Sequence, residues 1–220
     1  MAYILCIETS TTNCSVVLAK NGKVITQIED YDTKYSHAER LHNFIDNVVK
    51  EAGISLQDLS AISVSKGPGS YTGLRIGVSS TKGLCYALDI PLISILTLQS
   101  LALQVRTEQE VYVVPMIDAR RMEVYSAVFS GSNEQIRETE AEILTETSFE
   151  EYLQKYKVYF IGDGVEKFST ICNHKNAVFI QNKLPSAKEM ATLSHSKFLN
   201  KDFEDVSYFE PYYLKDFVAG

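Results

Sequence analysis

The chain has 220 residues, with 21 basic and 28 acidic side chains, and therefore a formal charge of −7 at neutral pH. Hydrophobic residues make up 45% and charged residues 22%, which is typical of a folded globular protein and argues against a disordered chain. The acidic balance also disfavours a stand-alone nucleic-acid-binding protein, which normally needs a basic surface to neutralise phosphates.

The cysteines and the apolar segments bear on where the protein works. Cys6, Cys14, Cys85 and Cys172 show neither the paired spacing of a zinc site nor that of a disulfide framework. We therefore expect buried free thiols in a reducing compartment. The N-terminal residues do not resemble a signal peptide, and no window approaches the ~18 consecutive apolar residues of a membrane span. These features predict a cytoplasmic protein without membrane association.

The first half of the chain predicts an antiparallel meander followed by alternating helices and strands. Asn21-Gly22 is a strong signal for a two-residue hairpin turn. Ser36 and Glu39 fit a helix capping box, and Gly53 is a natural helix terminator. The predicted strands are 3–8, 15–19, 23–28, 61–65 and 92–95, and the predicted helices are 36–52, 72–88 and 98–105.

The second half repeats this order of elements without an obvious sequence repeat. Its predicted strands are 111–117, 123–129, 134–144, 158–161 and 178–180, and its predicted helices are 149–156, a short helix through 171, and 186–199. Consecutive strands followed by strand–helix alternation indicate mixed sheets with helices packed on them. A short polar stretch at 106–110 is the expected boundary. We therefore predict two α/β lobes, 1–106 and 107–220. The C-terminal tail of the second lobe is expected to be able to pack on the first lobe.

Two segments have the composition of phosphate-binding loops. The turn that begins at Thr9 clusters hydroxyl groups between two strands, where oriented amides hold anions in some proteins. The glycine-rich loop 67–73 leads into a helix N-terminus, which attracts anions, but it lacks the Walker A pattern. A polar hairpin turn and a tight turn are the alternative interpretations, and 162–164 is a candidate second loop. The candidate nucleotide-binding residues are Thr9, Ser10, Thr11, Gly69, Gly162 and Gly164.

The predicted helix 72–88 carries mostly small residues at spacings of three and four. Glycine inside a helix costs about 1 kcal/mol relative to alanine, so close approach of another backbone is the reason to tolerate it. That backbone belongs either to the protein's own sheet or to a helix of another subunit. The residues of this stripe are Gly73, Ile76, Ser80, Gly83 and Ala87.

Side chains suited to catalysis are scarce. His37 and His42 are five residues apart, which does not place them on one helical face as a metal-binding pair. The polar segment 118–121 lies between two apolar strands, and it fits either a charged hairpin turn or a small binding feature.

Four segments carry a family resemblance: 4–10, 66–77, 117–125 and 211–215. The second contains Gly-Pro-Gly-Ser-Tyr-Thr-Gly-Leu-Arg, and the third contains Asp-Ala-Arg followed by Glu-Val-Tyr. Together they resemble the bacterial TsaB (YeaZ) family of accessory subunits of tRNA threonylcarbamoyladenosine biosynthesis. The resemblance spans nearly the whole chain. It implies an α/β, actin-like and Hsp70-like (ASKHA) fold of two lobes with mixed sheets and flanking helices.

The resemblance also implies a non-catalytic scaffold or activator. The catalytic sister subunit has a Pro-Leu strand followed by two metal-binding histidines four residues apart, whereas this chain has Thr97 and Leu101 at those places. We therefore expect no catalytic and no metal-binding residue in this chain. The implied role is to support threonylcarbamoyl transfer to the anticodon-adjacent adenosine of tRNAs that read codons starting with A. An actin-like ATP-dependent phosphotransferase, or a weak ATPase, is the alternative.

The implied partners are a catalytic TsaD-like sister subunit and a small P-loop, TsaE-like ATPase subunit. Pairing with the sister subunit would use a bundle formed by helices 36–52 and 72–88, and a homodimer would replace it when the partner is absent. Contact with tRNA is expected only indirectly, and ATP or ADP with magnesium only at the level of the complex. The predicted interface residues are Leu41, Phe44, Val48, Gly73, Ile76, Ser80, Gly83 and Ala87.

Overall fold

A computed structural model describes residues 1–31, 37–107 and 110–215. The strands are β1 (Tyr3–Glu8), β2 (Cys14–Lys20), β3 (Lys23–Asp30), β4 (Ala61–Gly67), β5 (Leu92–Leu96), β6 (Val111–Asp118), β7 (Glu123–Ser130), β8 (Gln135–Ile143), β9 (Lys157–Ile161) and β10 (Ala177–Ile180). The helices are α1 (His37–Glu51), α2 (Tyr71–Leu88), α3 (Thr97–Ala102), α4 (Glu150–Leu153), α5 (Val165–Ser169) and α6 (Ala187–Leu199). Within the described ranges, no helix has both the length and the apolar character needed to cross a membrane.

Two five-stranded sheets are built in the same way. Their strand orders are β3-β2-β1-β4-β5 and β10-β9-β6-β7-β8. In each, three consecutive strands form an antiparallel meander, and the next two strands add parallel to the first. The expected mixed sheets, and the similar order of elements in the two halves, are therefore confirmed.

The chain divides into two compact units that differ from the predicted lobes 1–106 and 107–220. The first unit joins two separate segments and the second lies between them: Met1–Ser100 with Pro185–Gly220, and Leu101–Leu184. Helix α6 belongs to the first unit because residues such as Met190 pack into its core. The tail also belongs there, since Glu204 N donates to Leu92 O at 2.9 Å on the edge of β5.

The sheet of the first unit is covered on both faces. Leu5 and Ile7 of β1 point into a core shared with α1 and α2, whereas Ile4 and Cys6 point into a core shared with α6. This alternation follows from the two-residue period of a strand. Helices α1 and α2 therefore lie on one face of the sheet and α6 on the other.

Local signals account for the turns and caps. Asn21 and Gly22 both have positive φ, at 51° and 77°, as the predicted hairpin turn requires. Ser186 Oγ accepts from Lys188 N at 3.1 Å at the start of α6, and Ser70 Oγ accepts from Gly73 N at 3.3 Å at the start of α2. The predicted cap at Ser36 lies outside the described residues.

The first turns of α2 pack directly on the turn between β1 and β2. A Cβ atom at Gly73 would lie 2.1 Å from Thr9 O, and one at Gly77 would lie 2.3 Å from Thr9 Oγ1. A Cβ atom at Gly83, by contrast, would meet nothing within 4 Å among the described residues beyond the nearby turns of α2. Glycine is therefore required at Gly73 by the backbone of Thr9 and at Gly77 by the side chain of Thr9. It is not required for internal packing at Gly83.

This difference predicts opposite effects of the same substitution on one helix. Gly83→Ala should raise the free energy of unfolding by roughly 0.8–1.0 kcal/mol, because alanine is the better helix former. Gly73→Ala should lower it by about 1–3 kcal/mol, since the added methyl group overpacks the contact with Thr9. Urea denaturation followed by circular dichroism measures both changes. Two effects of the same sign would contradict the packing described here.

Candidate functional site

Glu8 ends β1 with its carboxyl group completely buried. Its Oε1 atom accepts hydrogen bonds from Ser10 N at 2.6 Å and from Ser65 Oγ at 2.8 Å. Its Oε2 atom has no hydrogen-bond partner among the described residues. Burial raises the pKa of Glu8 above its ordinary value, and the hydrogen bonds from its neighbours oppose that rise. The Glu8 carboxyl group thus accepts the hydrogen bond from the Ser10 amide that, in an anion-binding turn, a phosphate would accept.

The loop between β4 and α2 is bonded to the same turn. Ser70 N donates to Ser10 O at 2.6 Å, and Thr9 Oγ1 donates to Gly73 O at 2.8 Å. A Cβ atom at Gly69 would lie only 2.4 Å from Ser10 O. The predicted residues of the first unit therefore come together, but they contact one another directly and do not surround an open space.

The far side of the turn is held by two further contacts. Thr11 O lies 2.7 Å from His37 Nε2 at the start of α1. Asn13 Nδ2 donates to Pro185 O at 2.8 Å, just before α6. The turn is thus bonded to elements on both sides of the sheet, which leaves its backbone little freedom to open.

Gly162 and Gly164, the candidate second loop, follow β9 in the second unit. Gly162 has φ of +125°, and a Cβ atom there would lie 2.0 Å from Met116 O. Gly164 N donates to that same oxygen at 3.1 Å. This loop therefore packs on the end of β6 and also has an internally bonded amide.

The Ser10, Ser70 and Gly164 amides of these loops are bonded within their own units, so they are not offered to a nucleotide phosphate. In the described part of the chain, no group of three or more His, Cys, Asp or Glu residues could hold a metal ion. All four cysteines are buried and free, as expected. Burial raises the pKa of Cys6 and of Cys85 to about 12, so both thiols stay protonated and unreactive at neutral pH.

Three of the predicted interface residues need correction. Leu41 and Val48 have no exposed surface and belong to the core between α1, α2 and the sheet. Gly73 is buried against Thr9. All three are buried where the helices pack on the sheet and the β1–β2 turn, so they are not positioned to contact a partner.

The other five predicted interface residues keep exposed surface. Gly83 and Ala87 are exposed, and the remaining three are half-buried. The two helices lie side by side, with Ser80 Oγ 3.4 Å from His42 Nε2. The residues that remain candidates for this outer face are Phe44, Ile76, Ser80, Gly83 and Ala87.

The sequence predicted that the C-terminal tail packs back on the first lobe, but it did not show the contacts of the tail with α2. Lys82 Nζ donates to Phe209 O at 2.9 Å, and Arg75 Nε donates to the Tyr213 hydroxyl at 3.2 Å. The sequence signal for this attachment is the tyrosine pair in 211–215. The pair contributes to the family resemblance, but the sequence does not show what the tyrosines contact. Glu8 was missed as well, although a lone acid at the end of an apolar strand was visible in the sequence.

The buried carboxyl group predicts a pH effect on stability. Because the pKa of Glu8 is raised in the folded chain, the folded state holds the proton more tightly than the unfolded state does. This contribution to stability is present below the ordinary glutamate pKa of about 4.3 and is lost as pH rises through the folded pKa. Glu8→Gln has no such titration, so its free energy of unfolding should improve relative to wild type as pH rises from 4. A difference that does not change with pH would contradict the burial.

Comparisons with known proteins agree with this architecture. The family model of TsaD, tRNA N6-adenosine threonylcarbamoyltransferase, matches residues 31–220. The tRNA threonylcarbamoyladenosine biosynthesis protein TsaB of Escherichia coli is 30% identical over 98% of this chain and 96% of that protein. The tRNA N6-adenosine threonylcarbamoyltransferase of Bacillus subtilis is 33% identical over 42% of this chain and 31% of that protein.

Solved structures extend the agreement to the fold. YeaZ from Pseudomonas aeruginosa is 25% identical, with a TM-score of 0.80 over 97% of this chain and 100% of that chain. The ethanolamine utilization protein EutJ from Carboxydothermus hydrogenoformans, at 13% identity, has a TM-score of 0.52 over 87% of this chain and 90% of that chain and shares the fold alone. The fold is therefore the actin-like (ASKHA) fold that the resemblance implied. The chain belongs to the TsaB (YeaZ) family.

Proposed function

We propose that this chain is the non-catalytic scaffold and activator of a tRNA threonylcarbamoyl transferase assembly. A role in tRNA threonylcarbamoyladenosine biosynthesis follows from its family, since TsaB of Escherichia coli matches nearly its whole length. In the proposed reaction, a catalytic TsaD-like sister subunit transfers the threonylcarbamoyl group to the anticodon-adjacent adenosine of tRNAs that read codons starting with A. This chain binds the sister subunit and holds it in its active form.

The observation that carries the proposal is the open outer face of α2. Gly83 and Ala87 are exposed there, and apart from the nearby turns of α2 itself no atom of the described residues lies within 4 Å of the position of a Gly83 Cβ. Short side chains let a second helix approach closely. Because α1 lies beside α2, the two helices offer half of a four-helix bundle, which two helices of the sister subunit would complete.

The place of two residues in the family resemblance supports a role without transfer chemistry. By that resemblance, Thr97 and Leu101 stand where the sister subunit has its metal-binding histidines. Both lie on α3 (Thr97–Ala102), four residues apart. That spacing puts them on one face of the helix. Both side chains are completely buried, and neither a threonine nor a leucine replaces imidazole as a ligand of a transition metal.

The remaining partners are part of the same proposal. A homodimer through the same helices would form when the sister subunit is absent, and a small TsaE-like P-loop ATPase would join the assembly. ATP or ADP with magnesium would bind at the level of that assembly in the cytoplasm. The closed loops around Glu8 and Gly164 argue against the alternative of an ATP-dependent phosphotransferase.

Reconstitution of the transfer reaction tests the proposed role. The rate of tRNA modification would be measured with the sister and ATPase subunits in the presence and in the absence of this chain. We expect modification to fall at least tenfold without the chain, and the chain alone to modify no tRNA. An undiminished rate in its absence would refute the role.

A single substitution tests the proposed interface. Gly83→Leu should abolish or severely weaken pairing with the sister subunit, because the leucine side chain fills the space that a partner helix would occupy. The substitution should leave the fold intact, since the position is open and leucine is a better helix former than glycine. Analytical ultracentrifugation of the two-subunit mixture measures the pairing.

Thr192→Leu provides the matched control for that experiment. Thr192 is exposed on α6, which packs on the opposite face of the same sheet. It should therefore pair as wild type does. Equal affinities of the Gly83→Leu and wild-type chains for the sister subunit would place the interface elsewhere.

A further inference from the structure

We propose that Arg120 and Arg121 contact the phosphate backbone of an RNA. The inference rests on the proposed function, because it takes the tRNA substrate of the assembly as the ligand. The two arginines lie in the second unit, at the tip of the hairpin between β6 and β7. A direct contact with RNA at this tip differs from the expectation that this acidic chain contacts tRNA only indirectly.

The backbone of this tip is unusual for the residues it carries. Arg120 and Arg121 have positive φ values of 71° and 50°. Consecutive positions of this kind favour glycine, asparagine and aspartate, and other residues adopt them at a cost in free energy. Such backbone outliers concentrate at functional sites. The local backbone preference therefore disfavours arginine here, and a function of the side chains explains its presence.

Two charged groups, Lys167 and Asp118, hold the tip in place. Lys167 Nζ donates to Asp118 Oδ1 at 2.9 Å, to Arg121 O at 2.7 Å and to Glu123 O at 3.0 Å. Arg120 N donates to the same Asp118 oxygen at 2.5 Å. Lys167 and Asp118 thus neutralise each other while they fix the hairpin backbone. The cations that the tip exposes to solvent are Arg120 and Arg121.

The guanidinium groups of the pair have no partner within the described part of the chain. Both arginines are exposed, and neither makes a hydrogen bond or an ion pair through its side chain there. Three other arginines are engaged: Arg40 with Asp30, Arg75 with Tyr213 and Arg137 with Glu142. A guanidinium offers five donors in a rigid planar fork, which matches the oxygens of a phosphate.

The position of the tip in the sheet also points to a ligand. It follows the carboxyl end of β6, and the loop at Asp163 follows the carboxyl end of the parallel neighbour β9; Asp118 N donates to Asp163 Oδ1 at 2.9 Å. Ligands of α/β sheets bind beyond the carboxyl ends of the strands.

The phosphate backbone of an RNA strand fits the tip better than a free nucleotide does. The tip projects into solvent. The second unit has a cavity at the other end of β6, beside Val111 and Ser130, and neither arginine of the pair lines it. The Gly164 amide in the neighbouring loop is already bonded to Met116 O. Two exposed cations without enclosing walls suit successive phosphates of a large polyanion.

Salt-dependent binding of an unmodified tRNA transcript tests the inference. The full chain would be assembled with the sister subunit, and binding would be followed by fluorescence anisotropy between 50 and 200 mM salt. Arg120→Asn with Arg121→Asn removes both charges, and asparagine tolerates positive φ. We expect weaker binding, with the slope of log K against log salt smaller by about 1.4–1.8, because each phosphate contact contributes about 0.7–0.9. Arg120→Lys with Arg121→Lys should retain most of the slope.

Arg106→Asn with Lys155→Gln is the matched control, since both residues are exposed cations of the same unit away from the tip. An equal loss in the control, or unchanged tRNA binding by the asparagine variant, would overturn the inference. So would a variant that loses affinity for ATP but not for tRNA.

Pairing and transfer activity would be measured on the same samples to separate the two proposals. If the wild-type chain pairs and stimulates transfer while the asparagine variant binds tRNA normally, only the RNA contact fails. If the wild-type chain neither pairs nor stimulates, the proposed function fails and the RNA contact, which rests on it, fails with it.

Discussion

Close contact between the β1–β2 turn and the first turns of α2 determines how the first unit is built. The carbonyl oxygen of Thr9 approaches Gly73 so closely that no Cβ fits there. The carbonyl oxygen of Ser10 approaches Gly69 in the same way. The contact sets where α2 starts and which side of the helix meets the sheet. The exposed side of α2, including Gly83, follows from that placement, and so does the surface left for a partner.

The same contact changes what the glycine-rich loop does. In sequence, hydroxyl-rich and glycine-rich loops are typical of phosphate binding, because both provide unpaired amides. Here the Ser10 amide is bonded to Glu8 and the Ser70 amide to Ser10 O. The loops therefore hold the protein together, and the only anion they meet within the described residues is the chain's own carboxyl group. The non-catalytic role that we propose for this chain requires no phosphate binding by these loops.

Elements with local signals could be predicted, and features that depend on distant residues could not. The Asn21-Gly22 turn and the Ser186 cap were predictable because a few adjacent residues specify them. Gly73 was assigned to the partner interface because helical spacing identifies a stripe but does not show that a turn 64 residues away covers its first residue. The place of α6 could not be predicted for the same reason, since this helix joins the first unit by packing from the far end of the chain.

We propose that α1 and α2 form the docking face for a catalytic sister subunit. Amide hydrogen exchange of the full chain, measured alone and in the two-subunit complex, tests this most directly. We expect slower exchange in peptides that cover α1 (His37–Glu51) and α2 (Tyr71–Leu88), with α6 (Ala187–Leu199) unchanged. Slower exchange confined to α6 or to the second unit would contradict it.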